Sequence, residues 1–205
     1  MRKANKVNKV ANVVDGDGWV SGVQRIESPN FDDRPPGEIV SLVVVHAISL
    51  PPSQFGSEDI ARLFTNALDP EGHPYFSSIF KLRVSAHFLI RRDGALIQFV
   101  SCRQRAWHAG ESFWNGRQRC NDFSIGIELE GSDDVPFEEA QYKRLVELIK
   151  QLCDVYPIDA VVGHSDISPV RKTDPGPFFD WQRLSGVGQT ITRAVTSGHH
   201  KQDIS

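Results

Sequence analysis

Residues 38–47 (EIVSLVVVHA) constrain this chain more than any other stretch. The run is apolar and β-branched at successive positions, so both faces of a strand built from it must be buried. A strand of that kind belongs in the middle of a sheet with packing layers on both sides. His46 falls at its end.

The rest of the chain supplies those layers. Ser57 followed by Glu58 and Asp59 is a helix start, since a hydroxyl caps free N–H groups and acids suit the positive end. That helix is predicted to run to about Leu68, and Pro70 stops it. Residues 82–90 (LRVSAHFLI) and 95–100 (ALIQFV) flank Asp93-Gly94, a hairpin signal. Residues 123–130 (FSIGIELE) alternate, with Ile125, Ile127 and Leu129 on one face and Gly126, Glu128 and Glu130 on the other. Leu145, Leu148, Ile149 and Leu152 follow helical spacing between Pro136 and Tyr156. Residues 159–163 form another short apolar strand, ending at His164, and a proline-rich loop follows it. A hairpin combined with helical crossovers predicts an α/β (α+β) single domain, a central mixed β-sheet flanked by helices. With 205 residues and 40% hydrophobic content, one core is expected.

The ends differ in composition. Residues 1–14 are polar and basic, residues 186–205 are rich in Gly, Ser, Thr and His, and both suit mobile tails around a domain at 15–185. His199 and His200 in that tail read as an incidental pair. A net charge of −3 gives no electrostatic case for nucleic acid. Arg2, Lys3, Lys6 and Lys9 are not followed by the roughly 7–15 apolar residues of a secretory signal. No run approaches the about 20 apolar residues of a membrane span, so a cytoplasmic protein with no membrane partner is expected. Separately, a monomer is expected. Three cysteines give no disulfide framework. Cys153 lies on the apolar face of a helix, while Cys102 and Cys120 fall in polar segments without an arguable base partner.

Two strand-end histidines, His46 and His164, suggest a ligand site, because loops beyond strand ends usually carry one. Asp174, in the rigid segment KTDPGP, is a third candidate ligand, and Asp166 is its rival. Two imidazoles and one carboxylate suit Zn²⁺ and leave a coordination position open. Spacing alone is a weak signal here, since there is no HExxH or CxxC. A GxSxG elbow is also absent, which disfavours a serine hydrolase. By residue type alone, Glu128 and Glu130 read as solvent-facing charges. His87 shares a strand face with Arg83 and Ser85 and reads as structural or as a supporting residue.

The wording of the motifs goes further. The stretches LVVVHAISLPPSQFG, HPYF, LRVSAHFLIRRDG, RAWHAG, RCNDFSIGIELEG and GHSDISPVRKTDPGPFFDW resemble the AmpD branch of the type-2 N-acetylmuramoyl-L-alanine amidases, relatives of the peptidoglycan-recognition proteins. The likeness covers roughly residues 15–184. It implies Zn²⁺ bound by His46, His164 and Asp174, with Glu128 as general base and Lys172 stabilising the transition state. It also implies that Arg83 and Arg119 engage peptide carboxylates, a task suited to the guanidinium fork. Trp107 and His108 are implied as groove-wall residues, with Trp107 stacking on substrate. The implied substrate is a 1,6-anhydro-N-acetylmuramyl peptide, cleaved at its L-alanine amide during cell-wall recycling, with an influence on β-lactamase induction. Relatives often carry Asn after the first histidine where this chain has Ala47, which bears on sugar preference. A silent muropeptide sensor and a zinc hydrolase of another amide stay open as alternatives.

Overall fold

The computed structural model describes residues 13–187 of the 205. The strands are β1 (Gln24–Arg25), β2 (Phe31–Asp32), β3 (Leu42–Ile48), β4 (Phe88–Ile90), β5 (Leu96–Gln98), β6 (Arg105–Ala106), β7 (Phe113–Trp114), β8 (Arg117–Gln118), β9 (Ser124–Glu130) and β10 (Ala160–Gly163). The helices are α1 (Asp59–Phe64), α2 (Phe76–Ile79), α3 (Glu139–Val155) and α4 (His164–Ile167). Six strands form one mixed sheet in the order β1-β5-β4-β9-β3-β10, and two ribbons, β2-β6 and β7-β8, lie outside it. The mixed sheet with flanking helices is the expected α/β single domain.

Strand β3 is central, as its composition requires: Leu42, Val43, Val44 and Val45 are each 0% exposed. Odd-numbered Val43 and Val45 pack with Ile125, Ile127 and Leu129 against α3. Even-numbered Leu42 and Val44 pack on the other face with Ala109, Cys120, Phe123 and Ile167. α3 presents Leu145, Leu148, Ile149 and Leu152 to the sheet, each at most 1% exposed. Burying such a side chain contributes roughly 1.5–3 kcal/mol, so this face is the main reason the helix docks. Its start is fixed where the Gln141 Oε1 accepts the Glu138 N–H at 3.0 Å. A second cluster, around Phe64, Leu89, Ile97 and Phe99, is capped by α1 and α2.

Strands β4, β9, β3 and β10 run parallel, so their C-terminal ends gather on one edge. In that register His46 pairs with Glu128, and Gly163 pairs with Val45, one step before His46. The antiparallel β4-β5 hairpin turns at Asp93-Gly94, with Gly94 at φ +83° and the Arg91 N–H donating to the Ala95 carbonyl at 2.9 Å.

Several boundaries differ from the sequence reading. α1 ends at Phe64 and not near Leu68, because the Thr65 hydroxyl donates to the Ala61 carbonyl at 2.8 Å and Asn66 turns to φ +60°. The strand expected over 82–90 begins at Phe88; Ser85 instead meets non-sheet partners, donating its N–H to the Trp107 carbonyl and its hydroxyl to Asn30. Glu130 is not solvent-facing: it is 2% exposed, and its carboxylate accepts the Gly56 and Arg92 backbone N–H groups at 2.6 and 3.2 Å. Val14 and Val187, placed by composition in the end segments, are buried in the main core. Residues 1–12 and 188–205 of those segments, with His199 and His200, lie outside the described residues.

Candidate metal centre

The parallel register brings two imidazoles to one edge. His46, from β3, and His164, which opens α4 directly after β10, have their Nδ1 atoms 3.0 Å apart. The Asp174 Oδ2 lies 3.2 Å from the His46 Nδ1 and 3.1 Å from the His164 Nδ1. The aspartate is delivered by a return loop anchored where the Ser165 N–H donates to the Asp174 carbonyl at 2.9 Å. Gly163 gives the following Pro175 its space, since a Cβ there would lie 2.8 Å from the proline Cδ. The rival Asp166 is occupied, its Oδ2 accepting the Gly163 N–H at 2.7 Å.

The donor set fits a cation. Nδ1, Nδ1 and a carboxylate oxygen all lie within 4.8 Å of one another. Tetrahedral ligands at zinc distances are spaced by about 3.3 Å, near the observed separations. The His164 Nε2 lies 3.1 Å from the Ala109 carbonyl, which can only accept, so the proton sits on Nε2 and the Nδ1 lone pair faces inward. Burial pushes the His46 imidazole down to about 4, which keeps it neutral, as a ligand must be. Burial would raise the Asp174 carboxyl, but hydrogen bonds with His164 and then His46 outweigh it and hold the group well below the usual carboxylate range.

Glu128 stands beside His46 on β9. Its Oε2 is buried and, among the described residues, has no hydrogen-bond partner. Burial, reinforced by the Asp174 charge and opposed by Lys172, pushes the carboxyl well above its ordinary range. An unpartnered buried carboxyl with raised proton affinity beside a candidate ligand set is a candidate acid–base group. His46, Glu128, His164, Lys172, Asp174 and Trp107 line one cavity of about 400 Å³.

The remaining residues singled out in the sequence are distributed around that cavity. Trp107 is half-buried and fixed, its Nε1–H donating to the Asp32 Oδ1 at 3.1 Å. Arg83 is exposed and lines an adjoining cavity of about 250 Å³ with Trp107, His164 and Lys172. Arg119 is not in the His46 cavity. It lines a separate cleft of about 570 Å³ with Arg171 and Phe113, and its Nε lies 3.2 Å from the Asp122 carboxylate. Ala47 is among the residues lining the His46 cavity. His87 is structural, its Nδ1 accepting the Gly126 N–H at 3.0 Å. Cys102 and Cys120 fall in a turn and a short 3-10 segment, as polar sequence there suggests, but their side chains are buried, and burial pushes the Cys102 thiol up to about 12. Burial raises both thiols, which opposes nucleophilic use. One contact escaped the sequence reading: the His108 Nδ1 lies 2.9 Å from the His46 Nε2. No spacing signal in the chain foretells it.

Sheet topology and this pocket together mark a class, and the chain belongs to the N-acetylmuramoyl-L-alanine amidase family, whose model matches residues 35–177. Within it, the sequence is similar to the 1,6-anhydro-N-acetylmuramyl-L-alanine amidase AmpD of Escherichia coli (strain K12), 55% identical over 169 residues, covering 82% of this chain and 92% of the relative. The fold is similar to the crystal structure of a selenomethionine AmpD derivative, with a TM-score of 0.83, 52% identity, and coverage of 88% of this chain and 99% of that one. It is also similar to Escherichia coli AmiD in complex with the substrate anhydro-N-acetylmuramic acid-L-Ala-D-γ-Glu-L-Lys, with a TM-score of 0.56, 30% identity, and coverage of 86% of this chain and 65% of that one.

Proposed function

We propose that this protein is a zinc-dependent amidase that hydrolyses the bond between 1,6-anhydro-N-acetylmuramic acid and L-alanine in peptidoglycan fragments. The observation that carries the reading is the unpartnered Glu128 carboxyl beside the His46, His164 and Asp174 donor atoms. The similarity to AmpD and to substrate-bound AmiD supports the choice of an anhydromuramyl peptide.

His46, His164 and Asp174 would hold Zn²⁺, which supplies acidification of water and polarisation of the scissile carbonyl. Glu128 takes the proton from the attacking water and delivers it to the departing alanine nitrogen; its raised affinity for a proton suits both transfers. Lys172, in the same cavity, balances the charge developing on the carbonyl oxygen, and losing such a donor commonly costs on the order of 100-fold or more. Trp107 offers a braced aromatic face to the sugar or peptide, while Arg83 and Arg119 pair with stem-peptide carboxylates, Arg119 from the neighbouring cleft. The catalytic unit is assigned to residues 15–185, acting as a monomer. Cytoplasmic wall recycling, with its effect on β-lactamase induction, follows from the likeness to AmpD. Among the described residues no helix is long and apolar enough to cross a membrane.

The test is mass spectrometry of anhydromuropeptides incubated with zinc-loaded and chelated protein. Zinc-dependent release of free stem peptide is expected. Binding without cleavage under every metal condition would leave a sensor and not an enzyme.

A further inference from the structure

We propose that His108 is a positioning residue for the metal centre: its Nδ1 accepts the Nε2–H of His46 and thereby fixes His46 in the tautomer whose Nδ1 lone pair faces the site. The proposal rests on the reading of His46, His164 and Asp174 as metal ligands, and it follows from a chain of hydrogen bonds read from its far end. The Cys120 carbonyl can only accept, and it takes the Ser124 hydroxyl proton at 2.6 Å. The Ser124 oxygen is therefore left to accept from the His108 Nε2–H, 3.3 Å away. With its proton on Nε2, a neutral His108 presents a lone pair at Nδ1, which lies 2.9 Å from the His46 Nε2. His46 must donate there, so its own lone pair is at Nδ1, the atom nearest Asp174 and His164. Each link's polarity is set by the one before it, and none depends on an ion being bound.

The backbone next to His108 does the same for the second imidazole, since the Ala109 carbonyl takes the His164 Nε2–H at 3.1 Å. Two consecutive residues thus orient both histidines. Both are tied to one side chain, as the Asn121 Oδ1 accepts the His108 and Ala109 N–H groups at 3.2 and 2.8 Å. The His108 ring also has a purpose-shaped seat. It lies over Gly126, where any Cβ would fall 2.4 Å from a ring carbon. His87 holds that glycine from both directions, accepting its N–H and donating its own N–H to the Gly126 carbonyl, each at 3.0 Å. Partners that fix the tautomer and ring orientation of a ligand histidine typically account for about 10- to 100-fold in metal affinity.

The experiment compares full-length wild type, His108→Leu and His108→Asn by zinc competition against a chromophoric chelator, with the visible spectrum of the cobalt-substituted proteins as a second readout. Leucine fills the space but cannot accept, whereas the asparagine amide oxygen can stand where Nδ1 accepts. His108→Leu is expected to bind zinc about 10- to 100-fold more weakly, with an altered cobalt spectrum, and His108→Asn to recover most of both. Equal affinity for wild type and a folded His108→Leu overturns the proposal while leaving the ligand reading intact. Equal losses in Leu and Asn also overturn it. A wild type that binds no metal defeats both readings. Should His108→Leu fail to fold by circular dichroism, Ser124→Ala carries the test: a several-fold weaker zinc affinity is expected, and an unchanged one overturns the proposal.

Discussion

Glu128 and Glu130 sit two residues apart on the same face of β9, yet their surroundings give them opposite chemistry. Glu130 has both carboxylate oxygens engaged by backbone N–H groups, which makes it a strut between the Gly56 and Arg92 segments. Glu128 has a buried oxygen with nothing to hold among the described residues, and burial, reinforced by the Asp174 charge, raises its affinity for a proton. Glu128→Gln keeps the shape and loses the exchangeable proton. Turnover is expected to fall by about 100-fold or more with zinc content unchanged, measured by peptide release alongside elemental analysis. A glutamine variant as fast as wild type would remove Glu128 from the reaction. At this scale the sequence showed which face the two acids share, because alternation is local. It could not show that the face is enclosed, because His46 and Leu89, which flank Glu128 in the sheet, and Gly56, which donates to Glu130, are remote in the chain. Likewise, spacing left Asp166 and Asp174 as rivals, and only the Gly163 N–H separates them. Strand-end placement did mark His46 and His164 in advance. The His108 contact was invisible, being made across 62 residues.

Among the elements, those with long uninterrupted periods were the most readable: β9 and α3 appear close to their expected limits, and β3 is central as expected but begins at Leu42, four residues after the expected start. Short pieces were not. The β2-β6 ribbon has two residues per strand and is held mainly by side chains, with Arg105 spanning the Asp32 carboxylate at 2.5 and 2.6 Å and the Asp122 carboxylate at 2.6 Å. The Arg105 hydrogen bond, against some desolvation and aided by Trp107, holds the Asp32 carboxyl below its ordinary value. A group depressed in the folded state adds stability that is full above its unfolded value near ~3.9 and is lost as pH falls through the lower folded value. Asp32→Asn should therefore lower the melting temperature at neutral pH. Its deficit against wild type should shrink once pH drops below about 4. A deficit that stays constant from neutral pH into that acidic range would show that the carboxylate charge contributes nothing there. Because Asp32 also receives the Trp107 Nε1–H, the same variant should loosen the indole that borders the cavity.

At the scale of the molecule, the three donor residues and Glu128 come from β3, β9, α4 and the loop after it, and only the folded sheet assembles them. Zinc should therefore bind the native state alone and stabilise it by mass action, about 2.7 kcal/mol at a free concentration 100-fold above Kd. For a chain of this size that corresponds to a rise of roughly 5–10 °C in Tm. Thermal unfolding with zinc and with chelator measures it directly, and identical transitions would mean that the donor set holds no ion in solution. The overall architecture was legible in the sequence because β3 was apolar on both faces, α3 on one, and the connections forced a mixed sheet. The division of the site into three neighbouring hollows was not, since Arg119 reaches its cleft through a left-handed turn at φ +61° that no pattern announces.

Helix α3 seals the side of the sheet opposite His46, and its outer surface carries exposed Lys143 and Lys150. Those side chains lie on the face away from the His46 cavity, so a tether placed at either position by a single cysteine substitution leaves the cavity mouth open.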